Sequence, residues 1–233
     1  MRDIGGAHIV MGDQINQTGD NAIGKVMLAQ PSPSPGPAKT PRRILLLMSN
    51  ALETRPLRLD EEHRAISMAV ADGRYRDQLE LHVGAAPRYH DLQALIGQHR
   101  PAVVHFSGHS GRSGIVLPDD RAGLHRVPPA ALQELFEIVG SFISCVVLNA
   151  CLTEDQASAI ATRIPCVVGM SRSVLDDVAI EFAAGFYGAV ANGHSLADSF
   201  RLGRNRLSLA GLDNRDPTIC ARPGVAERIL LTG

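Results

Sequence analysis

Five short apolar runs, separated by stretches of helical periodicity, constrain this chain more than any other feature. The runs fall at residues 43–48, 79–83, 102–106, 144–148 and 166–170, and most are rich in Val, Ile and Leu. Between and after them, residues 60–72, 91–98, 128–138, 154–163, 175–191 and 195–209 carry apolar side chains at helical spacing. Ile66, Ala69 and Val70 mark the inward face of the first helix, and Leu92, Leu95 and Ile96 that of the second. Pro128-Pro129 opens the third, and Gly193 separates the last two. Strands that alternate with helices form a mostly parallel sheet covered on both faces. The expectation is therefore an α/β fold, three-layered α/β/α. Residues 218–221 and 228–231 are expected to add short strands near the end.

Two of these strands end on reactive side chains. Val103-Val104-His105-Phe106-Ser107-Gly108-His109-Ser110-Gly111 runs into a Gly-rich turn at His109. Cys145-Val146-Val147-Leu148-Asn149-Ala150-Cys151-Leu152 stops at Cys151, just ahead of a helical segment. A parallel sheet puts the carboxyl ends of its strands on one rim, where α/β proteins do their chemistry. A thiol and an imidazole delivered to that rim are a candidate nucleophile and base. Glu154 and Asp155 mark a helix start after Cys151, and a helix N-terminus favours a thiolate. Taken alone, Cys151 fits a buried structural cysteine as well as a nucleophile. His109, flanked by Gly108 and a Ser-Gly pair, fits a ligand-facing turn. A phosphate cradle at Gly108, Gly111 and Gly114 fits neither dinucleotide nor P-loop spacing, and no Lys follows. His105 reads as a satisfied structural histidine, and Asp119 and Asp120 as turn residues.

The chain divides at a Pro-rich stretch. Residues 31–37 have Pro at every second position, which blocks helix and ladder alike, so 31–41 is expected to be an extended linker. Residues 1–30 carry Gly-Asp pairs between short apolar pieces and are expected to form a small Gly-rich β appendage that self-associates or binds an adaptor, unless they are a frayed tail. Residues 42–233 form the main domain.

Composition excludes several function classes. The net charge of −1 supplies no basic surplus for nucleic acid, and 4% aromatic residues leave little for base stacking. No apolar stretch reaches the length of a membrane span. The four cysteines form no C-x-x-C pair and the histidines are scattered, so neither a metal nor a cofactor is expected. Free thiols and the lack of a signal-like N-terminus point to a cytoplasmic location.

Phe106-Ser107-Gly108-His109 and Leu148-Asn149-Ala150-Cys151 resemble the two catalytic motifs of CHAT domains, caspase-like cysteine proteases of clan CD. The resemblance runs from about residue 43 to 209. It takes in Thr54-Arg55-Pro56-Leu57-Arg58-Leu59-Asp60-Glu61-Glu62, Val167-Val168-Gly169-Met170, and Phe182-Ala183-Ala184-Gly185-Phe186-Tyr187 with Gly193-His194-Ser195, in the family's order. It implies that His109 is the base or thiolate partner and Cys151 the nucleophile of a thioester intermediate. Backbone N–H groups of Cys151 and Ser110 would hold the oxyanion. Ser110 stands where the family most often has Gly. The substrate pocket would draw on Arg55, Asn149, Ser171 and Asp177. Asp176 and Asp177 would suit a basic side chain, though Asp177 fits the start of the next helix equally well.

The resulting expectation is a cysteine endopeptidase that cuts a specific protein partner by limited proteolysis. By resemblance its setting is bacterial antiviral defence or programmed cell death, for instance activating a gasdermin-like pore former. The alternative is a catalytically silent caspase-like scaffold.

Overall fold

In a computed structural model of the protein, residues 40–50, 56–120 and 123–233 are described. The expected appendage, most of the linker and Arg55 lie outside these residues. The described residues belong to one compact unit, Lys39–Gly233.

The apolar runs become strands: four are buried along nearly their whole length, and the one at the sheet edge is only partly buried. They are β1 (Arg42–Ser49), β2 (Leu79–Ala85), β3 (Val103–Gly108), β7 (Cys145–Asn149) and β8 (Cys166–Met170). With β9 (Pro217–Ala221) they form a six-stranded sheet in the order β2-β1-β3-β7-β8-β9, parallel except for the antiparallel edge strand β9. The helices are α1 (Leu59–Ala71), α2 (Asp91–His99), α3 (Pro129–Val139), α4 (Glu154–Ile160), α5 (Asp176–Ala191) and α6 (Leu196–Leu209).

Side chains alternate across the sheet with period two, so one strand feeds two cores. Ile44, Leu46 and Met48 of β1 pack with Ile66 and Val70 of α1, Phe182 and Phe186 of α5, and Leu207 of α6. Leu45 and Leu47 face the other way, onto Ile96 of α2, Phe136 of α3 and Ile160 of α4. This is the three-layer α/β/α arrangement expected.

Three features differ from the sequence reading. The stretch after His109 is no loop. It holds β4 (Ser110–Gly111), β5 (Gly114–Pro118) and β6 (Leu124–Val127), a small antiparallel sheet with Ile115, Val116 and Leu117 buried. Gly114 is required there: its φ of 126° suits glycine, and a Cβ would stand 1.9 Å from the Val127 carbonyl oxygen. Residues 228–231 add no strand. Leu230 makes only an isolated antiparallel bridge to Ser195, whose side chain is occupied capping α6 through the Asp198 N–H. Finally, α4 ends at Ile160 rather than 163.

The strand order reverses between β1 and β3, because β2 lies on one side of β1 and β3 on the other. Crevices open at the carboxyl edge beside such a reversal. Gly108, the last residue of β3, lies so close to β1 there that a Cβ would stand 2.8 Å from the Ser49 carbonyl oxygen. The glycine permits a close approach of the chain to itself and not to a phosphate.

Candidate active site

Register brings the two reactive residues together. β3 and β7 are adjacent and parallel, with Ser107 opposite Asn149. His109 and Cys151 each lie two residues beyond that pair. Neighbouring strands run about 4.8 Å apart, so both side chains leave the sheet at the same point on the rim. They line one small pocket with Leu57, Glu62, Asn149 and Asp176. Both are half-buried, neither entombed nor displayed on open surface. The Cys151 thiol points at the Val174 carbonyl oxygen, with Sγ and O 3.9 Å apart, in the loop that walls the pocket.

A tight turn presents Cys151. Leu152 has a φ of 54°, an unusual conformation for a branched side chain. Thr153 locks the turn: its hydroxyl sits 3.0 Å from both the Leu148 and Ala150 carbonyl oxygens and accepts from the Met170 N–H at 2.8 Å. Because α4 begins only at Glu154, this turn separates Cys151 from the helix, and Glu154 and Asp155 fill the first helical turn with negative charge. Activation of the thiol by the α4 terminus is therefore not what the geometry favours, since such fields fade within a turn.

The hairpin positions Ser110. The Val116 N–H donates to the His109 carbonyl at 2.9 Å, which makes that pair hydrogen-bonded. The next pair, Ser110 opposite Ile115, is then non-hydrogen-bonded, because the two kinds alternate along an antiparallel ladder. The Ser110 N–H consequently turns away from β5. Gln156 of α4, fully buried, donates to the Gly111 carbonyl at 2.8 Å and so ties the histidine-bearing hairpin to the helix that follows Cys151.

The residues named for substrate recognition do not converge as a set. Asn149 lines the pocket; its Nδ2 donates to Glu62 Oε1 at 2.6 Å and to the Ala179 carbonyl at 3.0 Å. Asp177 does not line it, but pairs with the pocket residue Arg58 at 2.5 Å as the second residue of α5. Ser171 lies elsewhere, in a shallow pocket with Arg112, Leu152 and Asp155, its N–H donating to the Asp216 carbonyl at 2.9 Å. Arg58 also pairs with Glu61, and these carboxylates hold its guanidinium well above its ordinary pKa, the Glu61 hydrogen bond most of all.

One pocket residue escaped the sequence reading. Glu62 is only 3% exposed and carries the centre of a buried polar cluster with His105, Ser107 and Asn149. The signal was present: Glu62 precedes Ile66 by four residues and Val70 by eight, which puts a carboxylate on the apolar stripe of α1. His105 is the structural histidine expected, bonded to Tyr187 at 3.0 Å and Glu62 at 2.9 Å. Asp119 is a turn residue, accepting from the Gly123 N–H at 2.7 Å. Among the described residues no cluster of His, Cys, Asp and Glu is arranged to hold a metal, and no helix is long and apolar enough to cross a membrane.

Comparisons with known proteins agree with the architecture. A secreted C11 cysteine protease from Bacteroides thetaiotaomicron, solved with an irreversible peptide inhibitor, superposes with a TM-score of 0.53 at 11% identity, over 77% of this chain and 66% of that one. The Arg-specific cysteine proteinase gingipain R superposes with a TM-score of 0.57 at 9% identity, over 81% of this chain and 48% of that one. This chain thus spans less than two thirds of either protein, and the likeness is one of fold. No curated protein sequence matches. The CHAT domain model matches residues 23–219, beginning inside the segment read as an appendage and running through both strand ends described above. The chain belongs to the CHAT domain family.

Proposed function

We propose that this protein is a cysteine endopeptidase working through a Cys151–His109 dyad. The observation that carries the reading is the delivery of these two side chains, by adjacent in-register strands, to one half-open pocket. His109 takes the proton from the Cys151 thiol, and the thiolate sulfur attacks a peptide carbonyl. The developing oxyanion accepts hydrogen bonds from the Cys151 and Ser110 backbone N–H groups. The tetrahedral adduct collapses, the C–N bond breaks, and the amine leaves with the proton that His109 returns. Water, deprotonated by His109, then hydrolyses the thioester and restores the thiol. All three groups belong to this chain, and the reaction needs neither metal nor cofactor.

A protein substrate follows from such chemistry, and the reading is of a specific, limited cut and not of general digestion. Family membership supports a role in bacterial antiviral defence or programmed cell death, with a gasdermin-like effector as the candidate target. The segment ahead of the main domain is the candidate site for an adaptor or for self-association. Four free cysteines suit a reducing, cytoplasmic setting. A peptide-library digest tests the activity: defined cleavage by the wild type and none by Cys151→Ala supports it, and equal cleavage by both, or none by either, refutes it.

A further inference from the structure

We propose that Glu62 is a positioning residue: its buried carboxylate fixes the ends of β3 and β7 so that His109 and Cys151 meet. This role presupposes the peptidase chemistry above. Glu62 occupies a place on α1 where the neighbours on its stripe, Ile66 and Val70, are apolar. A carboxylate in such a place is costly unless fully engaged, and this one is. Its Oε2 accepts from the Ser107 hydroxyl at 2.5 Å, and its Oε1 accepts from the His105 Nε2–H at 2.9 Å and the Asn149 Nδ2–H at 2.6 Å.

The partners are placed in a telling way. Ser107 and Asn149 are the last register pair between β3 and β7. Each stands two residues ahead of a reactive side chain, and Asn149 lines the same pocket as Glu62, His109 and Cys151. One carboxylate therefore clamps both strands immediately below the dyad. The clamp is itself held. His105 is anchored at both ring nitrogens, its Nδ1 3.0 Å from the Tyr187 hydroxyl and its Nε2 2.9 Å from Glu62 Oε1, and burial keeps Tyr187 protonated. Asn149 spends its other N–H on the Ala179 carbonyl at 3.0 Å, which adds α5 to the assembly.

Although Glu62 lines the pocket, three donors already occupy its oxygens, and this argues against a direct role in gripping a substrate cation. A purely stabilising role also fits poorly, because well-packed apolar residues usually serve stability as well as a buried charged group does. The cluster lies where misplacement matters most, since shifts of about 1 Å at reacting groups cost up to about a hundredfold in rate.

The test compares kcat and KM of wild type, Glu62→Gln and Ser107→Ala on one peptide selected from the library, with folding followed by circular dichroism. Gln keeps the shape of Glu62 but presents an amide N–H₂ to at least one of the three donors; Ser107→Ala removes only the tie to β3 and is the variant expected to fold without difficulty. The expected result is a fall in kcat of about tenfold or more for Glu62→Gln, a smaller fall for Ser107→Ala, and KM within about twofold of wild type in both. Wild-type kcat in folded Ser107→Ala and Glu62→Gln overturns the role while leaving the peptidase reading intact. So does an unfolded Glu62→Gln beside a fully active Ser107→Ala. A wild type that cleaves nothing overturns both.

Discussion

At the scale of single residues, the four thiols sort by environment. Cys145 and Cys166 face each other across β7 and β8 in the core. The Cys145 thiol is pushed well above its ordinary pKa, by its hydrogen bond to Cys166 first and by burial second, so it stays protonated and inert. Iodoacetamide on the native protein is expected to modify Cys151 and the half-buried Cys220 while sparing Cys145 and Cys166; modification of the core pair ahead of Cys151 would contradict this. His109→Ala and Cys151→Ala are each expected to abolish cleavage while changing stability by no more than about 1–2 kcal/mol, as suits half-buried positions outside the packed core. Thermal melts check the second half of that statement. That His109 and Cys151 share one rim was legible in the sequence, because both follow unmistakable strands; their pairing as nucleophile and base came from the resemblance to CHAT domains, since Cys151 alone also fits a structural cysteine. Glu62 was not legible, because a carboxylate beside Asp60 and Glu61 reads as part of a solvated, dipole-matched first turn. Only its spacing to Ile66 and Val70 betrays that it points inward.

At the scale of elements, β1, β3, β7 and β8 were legible because parallel strands covered on both faces are apolar throughout. The hairpin sheet β4-β5-β6 was hidden: β4 is two residues long, and its glycines read equally well as a ligand loop. The same glycines make it fragile. Gly114→Ala is expected to cost about 2–4 kcal/mol, since the left-handed φ and the clash with the Val127 carbonyl add; a melting temperature equal to wild type would contradict the description. Gln156→Ala tests the link between the two arms of the site. Losing its bond to the Gly111 carbonyl is expected to cost about 1 kcal/mol and to lower cleavage by more than that stability loss explains, because the hairpin carrying His109 is released from α4. Activity tracking the folded fraction alone would show that the bond has no such role.

At the scale of the whole molecule, pH acts on stability through ion-paired carboxylates at the surface and one partly buried imidazole. Hydrogen bonds from Arg58, Arg43 and Arg215 hold the carboxyls of Glu61, Glu80 and Asp213 below their ordinary values. The stability they contribute is present above the unfolded carboxylate range, about pH 4, and is lost as pH falls through the lower folded values. Burial, then the ring of His82 at 4.4 Å between centroids, depresses the pKa of His99. The unfolded chain protonates that ring first, so stability also declines as pH drops below about 6.5. A melting temperature that is flat from about pH 7 to 8 and falls below about pH 6 is expected, and a rise on acidification would contradict it. Removing residues 1–37 is expected to leave a cooperatively folding protein, because the described core lies within Lys39–Gly233; an insoluble product would show that the core depends on the missing segment. The parallel sheet and its helical layers were legible in the sequence because hydrophobic periodicity encodes them directly. Which side chains share a pocket was not, since that depends on strand register and on loops such as the one carrying Val174. The claim on which all else depends is that sulfur 151 is a nucleophile activated by the imidazole at 109. The most direct measurement is labelling of the native protein with a peptide-based electrophile, followed by mass spectrometric mapping of the modified thiol. Modification confined to Cys151, lost in Cys151→Ala and strongly slowed in His109→Ala, is the result predicted; labelling at the same rate with and without His109, or at Cys220 in place of Cys151, would contradict it.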